Sequence, residues 1–217
     1  MCGRFAQGEF PASIRKLIKE IVDEATADYN IAPSGAAAAI LCEPETRARR
    51  LTWGIPAPWG KDPASAPRLI NARAETVAEK PAFRAAFQRR RCLIPAAGFY
   101  EWRRDGAAKN PFYFTEADAS RPLVMGGVWE TFGDARSFLI ITTEANPLMR
   151  PIHFRMPVII PPEHWRDWLD PGQDDAQLLQ RLMRPAPDGY LQCRQVSAHV
   201  NNARNKGPEC VESQNML

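Results

Sequence analysis

The stretch CLIPAAGFYEW (residues 92–102) runs through RRDGAAKN (103–110) into PFYFTE (111–116), and its reading decides the fold. Two apolar and aromatic runs flank a polar segment containing Asp-Gly, the composition of a hairpin connection rather than a helix. Strand followed directly by strand favours antiparallel pairing over strand–helix alternation. The same reading extends outward. AAAAILCE (36–43), RRLTWGI (49–55), PLVMGGVWE (122–130), SFLIITTEA (137–145) and MPVIIP (156–161) are further strand-like runs.

Four helices are predicted between and around these runs. PASIRKLIKEIV (11–22) places Ile14, Leu17, Ile18, Ile21 and Val22 at helical spacing behind a first-turn proline. KPAFRAAFQRR (80–90) sets Phe83 and Phe87 four apart, PPEHWRDWLD (161–170) opens on prolines and stops at Asp-Pro-Gly, and DDAQLLQRLMR (174–184) is the fourth. The expected architecture is α+β: mostly antiparallel β-sheets in a barrel-like core with peripheral helices, one domain over 1–217.

Composition narrows the function classes. Hydrophobic residues at 45% and charged residues at 24% describe a soluble globular chain. No apolar run approaches a membrane span, and MCGRFAQGEF lacks the apolar core of a leader. A cytoplasmic location is expected, at the nucleoid in a bacterium, and monomer is the default. Five scattered cysteines without a C-x-x-C pair argue against a zinc site or a disulfide framework. No metal or diffusible cofactor is indicated. Net charge is only +3, yet 22 of the 28 basic residues are Arg, which suits nucleic-acid contact. It suits an Ala- and Arg-rich genome equally well. The clusters RARRL (47–51) and QRRRC (88–92) are read as solvated faces.

Five places carry more polar chemistry than packing explains. A lone Cys is usually a small buried hydrophobe, but Cys2 in MCGRFA would present a 1,2-aminothiol once Met1 is removed. LINARAET (69–76) puts Asn71, Arg73 and Glu75 at alternate positions, one face of a strand. GFYEWRR (98–104) sets Glu101 between two aromatics, either turned to solvent or held where desolvation raises its pKa. RPIHFRMPVII (150–160) holds His153 in a proline-bounded turn, and VSAHVNNARNKGPEC (196–210) has turn composition.

Taken together, these motifs resemble the SRAP family, named for SOS-response-associated peptidase, whose bacterial and animal members shield abasic sites in DNA. The matching stretches are MCGRFA, YNIAPS (29–34), WGIPAPW (53–59), NARAET (71–76), RRCLIPAAGFYEW (90–102), IHFRMPVII (152–160) and VNNARNKGPEC (200–210), in the family's order. One departure is Ala97, where family members often carry an acidic residue.

The resemblance implies capture of the aldehyde of a ring-opened abasic sugar. A free α-amine titrates near neutrality, so a useful unprotonated fraction can condense to a Schiff base. The Cys2 thiol then closes a five-membered thiazolidine, a ring that neither Ser nor Lys could form there. Glu101 is assigned general acid–base work, with Tyr100 and Trp102 supplying desolvation. Asn71 would hold the amine or sugar, and His153 would contact the opened sugar or an adjacent phosphate and assist proton transfer. Asn30 is expected to wall the pocket, Arg4 and Arg73 to hold phosphate, and Trp53 and Trp59 to stack on DNA, core packing being the alternative for both tryptophans. Single-stranded DNA containing an abasic site is the expected partner, with shielding at stalled replication forks. A Schiff base also permits strand cleavage by β-elimination, and the crosslink could reverse. Two rival readings remain: a thiol (auto)peptidase with Cys2 as nucleophile and His153 as base, and a non-catalytic nucleic-acid module.

Overall fold

The structure, a computed structural model, describes residues 2–8, 10, 12, 14, 15, 27–57, 59 and 66–213. Most of the helix predicted over 11–22 lies outside these residues; Ala12, Ile14 and Arg15 are helical. The chain runs through β1 (Phe5–Gln7), β2 (Asp28–Ile31), β3 (Ala36–Cys42), β4 (Thr46–Trp53), the short pair β5 (Ile55–Pro56) and β6 (Arg68–Leu69), and β7 (Asn71–Arg73) before helix α1 (Pro81–Arg89). There follow β8 (Arg91–Ala96), β9 (Gly98–Asp105), β10 (Ala108–Glu116), β11 (Leu123–Phe132), β12 (Ala135–Glu144) and β13 (Arg155–Pro157). Helices α2 (Trp165–Leu169) and α3 (Ala176–Leu182) precede the last strand, β14 (Leu191–Gln195).

Strands β11, β8, β3, β4 and β12 pair in that order, and β12 returns to β11, closing a five-stranded barrel. Its pairings are antiparallel except at β4–β12, which is parallel. Strands β7 and β13 extend from β12. A second, fully antiparallel sheet has the order β14-β10-β9-β1-β2. The α+β reading with a barrel-like, mostly antiparallel core is therefore correct.

Alternation along the barrel strands feeds two apolar layers. Leu93, Ile40, Val124 and Leu139 join a cluster with Phe87, Trp168 and Leu179 of the three helices. Cys92, Ile94, Met125 and Phe138 join another with Phe5, Phe99 and Phe114 of the second sheet. Strands buried on both faces read as continuous apolar runs, which is why β8 and β12 stand out in the sequence. Two predicted helices form close to where expected, as α1 and α3, while in 161–170 only Trp165–Leu169 is α-helical, after a single 3-10 turn at Pro162–His164. Phe83 and Phe87 bury one face of α1, and the Asp175 carboxylate caps α3 by accepting from the backbone N–H groups of Gln177 and Leu178.

The stretch 92–102 is two strands rather than one. The chain leaves the barrel at Ala97, whose N–H donates to the Ala6 carbonyl at 2.8 Å. Gly98 follows because a Cβ there would collide with the Tyr113 ring. The hairpin beyond turns at Gly106, whose φ of 60° lies in the left-handed region.

Two further expectations need correction. Strand β7 ends at Arg73, so Glu75 lies in the following turn and does not share the Asn71 face. Arg91 of QRRRC is buried, its guanidinium donating to the carbonyls of Phe87, Gln88, Trp168, Asp170 and Gln173. Five carbonyl acceptors replace the water this cation gives up and tie α1 to the end of α2.

Candidate active site at the N-terminal cysteine

The antiparallel register Phe5↔Phe99, Ala6↔Gly98 carries the N-terminal segment alongside β9. The Tyr100 N–H donates to the Arg4 carbonyl at 2.9 Å, continuing that ladder toward Cys2. Gln7 anchors the same segment to the barrel. Its buried amide donates to the carbonyls of Ala38 (2.9 Å) and Pro95 (2.7 Å) and accepts from the Ala38 N–H (2.8 Å). With all three bonds satisfied inside the protein, the residues after Cys2 are fixed against β3 and β8.

Cys2 is fully buried, within the cluster that also holds Phe5, Trp53 and Phe99. Its carbonyl accepts a hydrogen bond from the Asn71 Nδ2 at 2.9 Å. The other end of that amide, Oδ1, is buried and accepts no hydrogen bond from the described residues. Burial, and after it the Glu101 carboxylate, push the Cys2 thiol well above its ordinary pKa. The sulfur at neutral pH is therefore a protonated thiol.

Glu101 on β9 is only 4% exposed. Successive residues of a strand face opposite ways, and Phe99 faces the barrel whereas Tyr100 joins Tyr113, Val196 and Val200 on the far side. Tyr100 donates from its hydroxyl to the Tyr29 carbonyl (2.7 Å), and the Trp102 indole N–H donates to Asn201 Oδ1 (2.6 Å). The expectation that these two aromatics desolvate Glu101 is thus overturned, since both turn to the opposite face of the strand.

His153 approaches from the turn before β13, its Nδ1 3.9 Å from Glu101 Oε1. That nitrogen accepts from the Arg155 backbone N–H at 3.0 Å. The turn is tied down by Asn146, whose Oδ1 accepts from the Met149 N–H and whose Nδ2 donates to the Ala186 carbonyl, both at 3.1 Å. Arg155 itself is anchored by a two-pronged ion pair with Glu75 (2.6 and 2.9 Å) and by the Thr142 carbonyl. Hydrogen bonding to Arg155 holds the Glu75 carboxyl below the usual carboxylate range.

Arg4 is half-buried across Trp102, with its guanidinium carbon 5.8 Å from the ring centroid. Its Nη1 donates to Asn30 Oδ1 (2.6 Å) and the Val200 carbonyl (3.1 Å), while Nε has no partner among the described residues. Asn30 is sealed in, its Nδ2 donating to the carbonyls of Val200, Asn202 and Asn205. It is a clamp for Arg4 and the 198–205 segment, not a surface for DNA. Trp53 is also sealed, its indole N–H on the Ile70 carbonyl and its ring between Phe5 and Phe138. It is core, with no free face for a base. Trp59, 68% exposed, and the exposed Arg73 remain open to solvent.

Cys2, Asn71, Glu101 and His153 thus come together from four separate elements. Sequence reasoning missed Gln7, Arg155 and Asn146, which hold them. An arginine directly before the apolar run MPVII was the available sign for Arg155; nothing marked Gln7. Among the described residues no three His, Cys, Asp or Glu side chains converge as a metal site. A groove of about 820 Å³ lies elsewhere, lined in part by Glu79, Arg89, Leu179 and Met183, and none of the four site residues borders it.

Residues 1–203 match the sequence model of the SOS response associated peptidase (SRAP) family. The chain is 38% identical over 224 residues to the abasic site processing protein YoqW of Bacillus subtilis (strain 168), covering 98% of this chain and 100% of that one. It is 31% identical to the abasic site processing protein YedK of Escherichia coli (strain K12), covering 98% and 99%. A crystal structure of a Bacteroides thetaiotaomicron protein shares the fold, with a TM-score of 0.78, 24% identity and coverage of 97% and 100%. The chain belongs to the SRAP family.

Proposed function

We propose that this protein recognises abasic sites in single-stranded DNA and shields them covalently through Cys2 once Met1 is gone. Met1 lies outside the described residues. The observation that carries the reading is an N-terminal cysteine fixed beside Asn71 and Glu101, with His153 against the carboxylate. Relatives along the full chain, among them YoqW and YedK, are abasic site processing proteins.

The chemistry follows from the groups present. Removal of Met1 frees an α-amine next to Asn71, whose unpartnered Oδ1 is a ready acceptor for an amine N–H. The neutral amine attacks C1′ of the ring-opened sugar, and the carbinolamine loses water to give an imine. Expulsion of that water needs a proton, and Glu101 is the nearby acid–base group, with His153 relaying to the opened sugar. The Cys2 sulfur then adds to the imine carbon; the S–H proton leaves through Glu101 and the nitrogen regains one, closing the thiazolidine. Running these steps backward releases the DNA, and proton loss from C2′ of the imine instead breaks the C3′–O bond, expelling the 3′ phosphate by β-elimination. Arg4 and Arg73 would hold flanking phosphates, and Trp59 a base. Single-stranded DNA is favoured because an aldehyde must enter a secluded pocket.

A peptidase nucleophile would want its thiol pKa lowered, whereas burial and Glu101 push Cys2 the other way. The test is a denaturing gel of protein whose mass shows Met1 absent, incubated with single-stranded DNA bearing one abasic site. A heat-stable shifted band is expected from the wild type. None is expected from Cys2→Ala or from protein acetylated on the α-amine. A band surviving acetylation overturns the proposed chemistry.

A further inference from the structure

Phe154 stands outside every role assigned so far. Among the described residues it is one of three exposed large apolar side chains, at 67%, the others being Trp59 and Leu148. Its backbone is nevertheless fixed: the Phe154 carbonyl accepts from the Ala145 N–H at 3.1 Å, and the next residue enters β13. The preceding turn is closed by N–H donors of Arg150, Ile152 and His153 to the carbonyls of Asn146 and Met149. One face of the phenyl ring lies on the His153 imidazole, with centroids 4.5 Å apart and planes within 21°. A single exposed apolar side chain is ordinary on a protein surface; what sets Phe154 apart is a fixed backbone and a ring stacked on a histidine of the candidate site.

We infer that the outer face of Phe154 is a stacking platform for the nucleobase next to the abasic site, and this rests on the function proposed above. The geometry sets the order of the stack. His153 is only 20% exposed and turns its Nδ1 edge toward Glu101, so a sugar engaged there leaves its neighbouring base at the rim. The phenyl is the aromatic surface at that rim, already aligned by the imidazole beneath it. A nucleobase fits because it offers a flat π-face of any sequence, and stacking on an aromatic needs no hydrogen-bond readout. Purines, with the larger face, are preferred as the flanking base.

The test uses single-stranded DNA with one tetrahydrofuran residue, an abasic analogue without an aldehyde, so binding is read apart from capture. It is flanked by adenines, by thymines, or by a second tetrahydrofuran on one side or the other. Phe154→Ala is expected to weaken binding to the adenine-flanked strand about tenfold. Phe154→Trp should retain it, and Phe154→Leu should behave as Ala, which separates aromatic stacking from lost apolar bulk. The gap between wild type and Ala should close to within about twofold when the base on one side is removed. Capture of true abasic DNA at saturating concentration should stay within about twofold of wild type, because only uniform binding is lost. Equal binding by Phe154→Ala, or a loss that ignores the flanking base, overturns the inference. Wild-type capture without flank dependence would do so while leaving the proposed function standing. Flank-dependent binding without capture would reject the covalent reading and leave the platform standing.

Discussion

Cys92 and Cys2 are equally sealed from solvent, and burial pushes both thiols up, yet they belong to regions built on opposite terms. Cys92 lies on β8 in the barrel wall, and burial alone accounts for its shift. Cys2 lies at the seam between barrel and second sheet, where a carboxylate also raises its thiol and the amides of Gln7 and Asn71 supply directional bonds. The wall is held by apolar area, which tolerates replacement by another apolar residue of similar volume. The seam is held by polar groups whose partners must all be present. Chemistry belongs where buried polarity has been organised, and burial by itself makes a cysteine inert.

The sharpest separation is expected from the two Cys→Ala variants. Cys2→Ala should abolish the crosslinked band and, its side chain being as buried as that of Cys92, cost a similar amount in urea unfolding, about 1–2 kcal/mol. Cys92→Ala should keep the band and lose about 1–2 kcal/mol through the small cavity it leaves. Next in size is Glu101→Gln, which should slow crosslinking about 10²–10⁴-fold without weakening binding to tetrahydrofuran-containing DNA. A rate within a few-fold of wild type would remove Glu101 from the chemistry.

Gln7→Leu strands the Ala38 N–H and two carbonyls, so urea unfolding should show a loss of about 1–3 kcal/mol, with slower capture as the seam loosens. A change no larger than a surface substitution would mean the seam is held by area after all.

Alkaline pH acts on both regions together. A buried thiol keeps its proton in the folded state while the unfolded chain loses it above about pH 8.5, so stability falls as pH rises past that value. Between pH 8.5 and 9.5 each thiol should remove about 1 kcal/mol, and Cys92→Ala should cut the slope of melting temperature against pH. A flat profile to pH 9.5 contradicts the shared burial. Smallest of all, Trp59→Ala should leave stability within about 0.5 kcal/mol, since its ring is exposed, and weaken only DNA binding.

What the sequence disclosed follows the same division. The barrel strands and α1 were legible because apolar side chains repeat with a period, Phe83 and Phe87 being the plainest instance. Strands β1 and β2, three and four residues long, offered too few positions to show alternation, and β14 is largely polar along its length. The candidates Cys2, Asn71, Glu101 and His153 were singled out through motifs. Their supports were not, because a buried Gln7 or Arg91 is written with the same letter as an exposed one. Asn30 and Trp53 went astray for that reason too, their polar ends facing inward to carbonyls that lie far along the chain.

The central claim is that nitrogen and sulfur of one residue both bond to the same DNA carbon. An imine and a thiazolidine have the same mass, so crosslinked protein should be denatured, treated with iodoacetamide and borohydride, and its N-terminal peptide weighed. The account predicts an adduct that takes up neither a carbamidomethyl group at Cys2 nor two hydrogens from borohydride. An adduct alkylated on Cys2 sulfur, or reduced at the imine, would show that the thiol never closed the ring.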